Sequence, residues 1–112
     1  YIEYKEGKEE YINENVFSEE AGEIVKQGLI QVIENPNGTA NDMKVSGITI
    51  AGKTGTAEHG DASSTTPHAW FVGFSNVEDP DIVVSVIAEE SGSGSEVAVP
   101  IAQKIFDAYY NN

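Results

Sequence analysis

Hydrophobic positions recur along this chain with two different periods. From Ser18 onward, Ala21, Val25, Leu29, Val32 and Ile33 keep helical spacing until Asn35-Pro36-Asn37-Gly38 interrupts them. Ser18 offers an oxygen to the first free backbone N–H groups, and Glu19 and Glu20 put acids in the first turn, where the helix dipole favours them. The pattern predicts a helix over 18–35. Further along, alternation and β-branched runs such as Ile82-Val83-Val84-Ser85-Val86-Ile87 predict extended segments near 45–58, 69–75 and 82–88. The polar loop 59–68 and the turn Val77-Glu78-Asp79-Pro80-Asp81 separate them, so a three-stranded antiparallel meander over 45–88 is expected.

After the meander, Ser91-Gly92-Ser93-Gly94-Ser95 is flexible by composition. Ser93 and Glu96 then have capping-box spacing ahead of Val97, Ile101, Ile105, Ala108 and Tyr109, which predicts a closing helix over 95–110 with Pro100 in its first turns. Residues 1–17 mix Tyr1, Ile2 and Tyr4 with charges and Gly7, and read as an extended lead-in or short hairpin. The expected fold class is α+β: an antiparallel sheet of about three strands flanked by helices. Within it, Trp70, Phe71 and Phe74 read as core packing.

Composition narrows the function more than the fold. A chain of 112 residues is one domain or a piece of one, and an apolar fraction of 39% leaves a modest core. The net charge of −13 repels phosphate backbones and anionic lipid, so no nucleic-acid partner is expected. With no cysteine, disulfides, thiolate metal sites and cysteine nucleophiles are excluded. Glu58, His59, Asp61 and His68 crowd one loop without regular ligand spacing, so no metal is expected there.

Candidate chemistry concentrates in Gly52-Lys53-Thr54-Gly55-Thr56-Ala57-Glu58. Lys53 is the only lysine between Lys44 and Lys104, and the chain has no arginine. Hydroxyls and glycines around it let an anionic or acyl ligand lie close to the backbone. Gly47 to Thr54 formally matches a phosphate loop, G-x-x-x-x-G-K-[ST]. That mechanism needs a glycine-rich turn and a helix beginning at the lysine, whereas Ile48-Thr49-Ile50-Ala51 favours a strand and a polar loop follows Thr56.

Lys53-Thr54-Gly55 also fits the Lys-Thr-Gly box of serine acyltransferases that react with penicillin. Around it, Ala51 to Glu58, His68-Ala69-Trp70-Phe71-Val72-Gly73-Phe74, the 82–87 run, and Gly94 to Ala102 with the terminal helix resemble, in order, the C-terminal part of a class B penicillin-binding transpeptidase. Ser18-Glu19-Glu20-Ala21 and Gly38-Thr39-Ala40 resemble that family's preceding helix and loop. The resemblance implies a partial serine β-lactamase-like fold and acyl transfer between peptidoglycan stem peptides, without metal or organic cofactor. Lys53 and Thr56 would be catalytic, Lys53 through its charge and Thr56 through a backbone N–H in the oxyanion hole. The hydroxyls of Thr54 and Thr56, with Gly55 between them, would hold the substrate's carboxylate.

The pattern is incomplete, because no serine precedes a lysine by three residues or an asparagine by two. Both the nucleophile box and the S-x-N box are therefore missing, and the chain reads as a C-terminal fragment. Its expected partners are stem peptides, β-lactams and the remainder of its own transpeptidase domain, on the extracytoplasmic face of a bacterial membrane and anchored by a segment outside this chain. A homodimer through an exposed strand edge is a further expectation. A β-lactam sensor, a β-lactamase-like relative and a non-catalytic binding module remain the alternatives.

Overall fold

The computed structural model describes residues 6–61 and 63–111; residues 1–5 of the expected lead-in lie outside them. Residues 6–17 form no helix or strand and are exposed. Helix α1 spans Glu19–Glu34, and the Ser18 hydroxyl caps it by accepting from the Ala21 N–H at 3.1 Å. Strands β1 (Ile50–Ala57), β2 (His68–Ser75) and β3 (Ile82–Ala88) follow, then a π turn at Gly94–Ala98 leading into helix α2 at Val99–Asn111. The sheet is antiparallel in the order β1-β2-β3. The first strand starts later than alternation implied. Residues 45–48 instead close a tight turn in which Gly47 has φ 79° and Val45 bridges Ile48.

Strand alternation divides the sheet into two unequal faces. One carries Phe71 with its cross-strand partner Val86, Gly73 with Val84, and Ser75 with Ile82. Phe71 and Phe106 are fully buried there, with Ala98, Val99 and Ala102 in the same core cluster. Gly52 and Gly73 pair across β1 and β2 because the Phe71 ring lies over both: a Cβ at either would come within 2.6 or 2.7 Å of it. The demand for glycine at position 52 is thus set by core packing, in place of the ligand clearance read from sequence.

The opposite face is only partly covered. α1 packs against β1, where Ala51 is fully buried, yet Val72, Val83 and Ile87 stay exposed. Trp70, expected in the core, is 40% exposed, because its neighbour Phe71 takes the inward side and alternation sends Trp70 outward. Along α1 the expected apolar stripe is buried only at Ile33, and Val25 remains exposed beside an apolar hollow of about 480 Å³ that it shares with Phe74.

The closing helix buries a different stripe from the one its sequence implied. Val99, Ala102 and Phe106 face the sheet, whereas Ile101, Ile105 and Tyr109 are exposed. The π turn explains the change of phase: the Val99 N–H reaches back five residues to the Gly94 carbonyl, which rotates everything after it. At its far end, Tyr110 donates to the Asp81 carboxylate at 3.1 Å. The buried Ser75 hydroxyl must then donate to Tyr110, at 2.6 Å, since a phenol has one proton.

Tyr110→Phe is expected to cost about 1–3 kcal/mol of stability, because it strands a buried hydroxyl. Burial, opposed by the Ser75 hydrogen bond, holds the Tyr110 phenol above its ordinary value of 10.0. A raised folded value means that the phenol's contribution is complete below the ordinary, unfolded value and is lost as pH rises from there through the folded value. Urea unfolding from neutral pH to beyond pH 10 should show alkaline destabilisation that the Phe variant lacks at this site. Equal stability of the two proteins at neutral pH would contradict the network.

Candidate active site

The expected site residues lie on one strand. Lys53, Thr54, Gly55 and Thr56 are consecutive in β1, which pairs only with β2 among the described residues and so presents its outer edge. Thr54 and Thr56 oppose Phe71 and Ala69, and Lys53 and Gly55 oppose Val72 and Trp70, so hydroxyls and ammonium leave the strand on opposite faces. Lys53 is exposed, and its Nζ donates to the Thr54 carbonyl at 2.8 Å. A hollow of about 380 Å³ separates the end of α1 from this edge, with Lys53, Thr39 and Asn37 in its wall. No helix begins at Lys53, so the phosphate-loop match has no helix N-terminus to offer a phosphate.

Two neighbours of the strand were marked in the sequence only as parts of family-like segments, with no contact to β1 foreseen. Thr39 places its hydroxyl 2.7 Å from that of Thr54, although fifteen positions separate them. Gly94, within the run that composition marks as flexible, is buried and donates its N–H to the Thr56 hydroxyl at 3.2 Å. It crosses the sheet so closely that a Cβ there would lie 2.4 Å from the Gly55 carbonyl oxygen and 2.5 Å from that of Trp70. The Ser93 hydroxyl meanwhile caps the turn by accepting from the Glu96 N–H at 3.3 Å. Small residues were needed for this close approach, and composition alone reads them as a linker.

The loop between β1 and β2 is also ordered by named contacts. His59 and His68 stack in parallel with ring centroids 4.1 Å apart, and His68 Nδ1 accepts from the Glu90 N–H at 2.9 Å. The Pro67 carbonyl accepts from Ser91 and Gly92, tying the loop to the segment that leads to Gly94. The Ser63 hydroxyl and N–H both donate to Asp61 and hold its carboxyl below the usual range. Among the described residues no three His, Asp or Glu side chains gather as a metal site.

Residues 2–107 match the model of the penicillin binding protein transpeptidase domain. The chain belongs to that family. It forms a partial transpeptidase domain, with the α+β architecture of its structural neighbours. It is 34% identical over 104 residues to the peptidoglycan D,D-transpeptidase MrdA of Haemophilus influenzae, covering 81% of this chain and 16% of that one. It is similar in structure to Pseudomonas aeruginosa PBP2 crystallised with WCK 5153, at 37% identity and a TM-score of 0.70, over 80% of this chain and 19% of that one. A Mycobacterium tuberculosis penicillin-binding protein A, solved as a ceftriaxone acyl-enzyme, matches 59% of this chain and 16% of its own at 39% identity and a TM-score of 0.56. The chain therefore spans less than a fifth of the length of each of these relatives.

Proposed function

We propose that this chain is the Lys-Thr-Gly portion of a peptidoglycan D,D-transpeptidase that crosslinks stem peptides by serine acyl transfer. The observation that carries the reading is the outer edge of β1, which pairs with no further strand among the described residues and has Lys53 on one side and the hydroxyls of Thr54 and Thr56 on the other. A stem peptide can lie along such an edge as an added strand. The Thr54 and Thr56 hydroxyls, flanking Gly55, hold its terminal carboxylate. A serine from the remainder of the domain attacks the penultimate D-alanine carbonyl, and the Thr56 N–H stabilises the oxygen as it becomes negative. The C–N bond to the terminal D-alanine breaks and that residue leaves with a proton. The amine of a second stem peptide then attacks the acyl-enzyme, releasing the serine and completing the crosslink. Lys53 supplies positive charge and assists proton movement.

On this reading the protein works on the outer side of a bacterial cytoplasmic membrane, where peptidoglycan lies, and a β-lactam occupies the stem peptide's place. The test is intact-mass measurement after incubation with penicillin. A complete domain carrying this chain is expected to take up one penicilloyl group, and the 112-residue chain alone none, since no serine in it has the nucleophile spacing. A stoichiometric adduct on the isolated chain would contradict the assignment of the nucleophile to the rest of the domain.

The second edge of the sheet is β3, where Val83 and Ile87 are exposed. In the isolated chain this edge invites pairing with another copy. The charge of −13 opposes association until salt screens it, so light scattering should show dimers growing with ionic strength. A monomer at high protein and salt concentration would rule the pairing out.

A further inference from the structure

The contact between Thr39 and Thr54 carries a consequence for substrate recognition. The oxygens lie 2.7 Å apart, a short hydroxyl–hydroxyl bond, and each group has one proton to give. If Thr54 donates to Thr39, its proton is spent and it can offer a carboxylate nothing but a lone pair. If Thr39 donates, Thr54 keeps its proton for the ligand, and the accepted bond polarises it into a better donor.

The turn that carries Thr39 is fastened on both sides of it. The Asn37 N–H and Gly38 N–H bond to the side chain and carbonyl of Asn35 at 2.9 and 2.8 Å, the Ala40 N–H bonds to the Val32 carbonyl at 3.0 Å, and the Asn41 side chain bonds to the Ile33 carbonyl at 3.0 Å. Ala40 and Met43 are buried. The end of α1 thus sets the position of the Thr39 hydroxyl, which sits at the rim of the hollow that also contains Lys53.

We propose that Thr39 is a positioning residue for carboxylate recognition: its hydroxyl donates to Thr54 and leaves the Thr54 proton aimed at the substrate's terminal carboxylate. This rests on the reading of Thr54 as a carboxylate-binding residue. The hydroxyl pair then selects ligands that end in an anion, and Thr39 acts without touching them.

The test compares acylation rates of a complete transpeptidase domain carrying this chain, using benzylpenicillin and its methyl ester, which lacks the anionic carboxylate. Thr39→Val keeps the shape and removes the hydroxyl. It is expected to slow acylation by benzylpenicillin roughly three- to tenfold and to leave the ester rate unchanged. Thr39→Ser, which restores the hydroxyl, should recover the original ratio of the two rates. In a Thr54→Val background, Thr39→Val should add no further loss. Thermal unfolding of each variant separates these effects from misfolding.

Equal slowing of both probes by Thr39→Val, or no slowing of either while Thr54→Val still discriminates between them, would overturn the role of Thr39 alone. Failure of Thr54→Val to discriminate would overturn the underlying reading of Thr54 together with the proposal.

Discussion

Lys53→Ala in the complete domain is expected to slow acylation by penicillin on the order of 10²–10³-fold while leaving the folding temperature nearly unchanged. The side chain is exposed on an edge strand and packs against little, so its loss removes charge more than contact. Where charge develops in a transition state, a cation held beside the reacting atoms lowers the barrier through an interaction that is stronger there than in the ground state. Lys53→Arg should recover only part of the rate, since a planar guanidinium does not replace a compact ammonium beside the backbone. Stopped-flow acylation with a fluorescent penicillin, paired with thermal unfolding, checks both halves. Near-normal acylation by Lys53→Ala would reduce Lys53 to a surface lysine.

The second large effect lies outside the motif. Gly94→Ala is expected to destabilise the protein by about 3 kcal/mol, since the added carbon would meet backbone on every side. Its three nearest atoms would be the Gly55 and Trp70 carbonyl oxygens and the Gly55 nitrogen, at 2.4, 2.5 and 2.9 Å. None belongs to a side chain that can swing away. The strand must shift or the π turn must lift, and either movement breaks the bond from the Gly94 N–H to the Thr56 hydroxyl. Gly28→Ala provides the contrast. Gly28 lies within α1 with open space around it, and alanine there should stabilise by roughly 0.5–1 kcal/mol through helix propensity. Denaturant unfolding of the two variants should therefore move in opposite directions. An unperturbed Gly94→Ala protein would contradict the close crossing.

Part of the fold was legible in the sequence through local signals. Ser18 with its acids marked the start of α1, and β-branched alternation marked all three strands, because caps and period-two patterns are local properties. The placement of Lys53, Thr54, Gly55 and Thr56 together on one strand was legible for the same reason. The stripe of α2 was not. Ile101 and Ile105 looked like its buried face, but the π turn at Gly94–Ala98 changed the phase and put Val99, Ala102 and Phe106 inward. Such a turn follows from contact with the sheet, which helical spacing does not record. The segments holding Thr39 and Gly94 looked family-like, but their contacts with β1 were not legible, because each reaches the strand across the fold, from positions 15 and 38 residues away from its hydroxyl partner. Trp70 was misplaced by the opposite error: its size argued for the core, while its parity on β2 put it on the less covered face.

The most direct measurement is a crystal structure of a complete domain carrying this chain after acylation by benzylpenicillin. The expected arrangement has the drug's carboxylate within hydrogen-bond distance of the Thr54 and Thr56 hydroxyls, the β-lactam carbonyl oxygen on the Thr56 N–H, and Lys53 beside the drug, with the acylated serine contributed from outside these 112 residues. An acyl-enzyme in which the drug lies away from the outer edge of β1, with Lys53 and Thr54 facing only solvent, would contradict it.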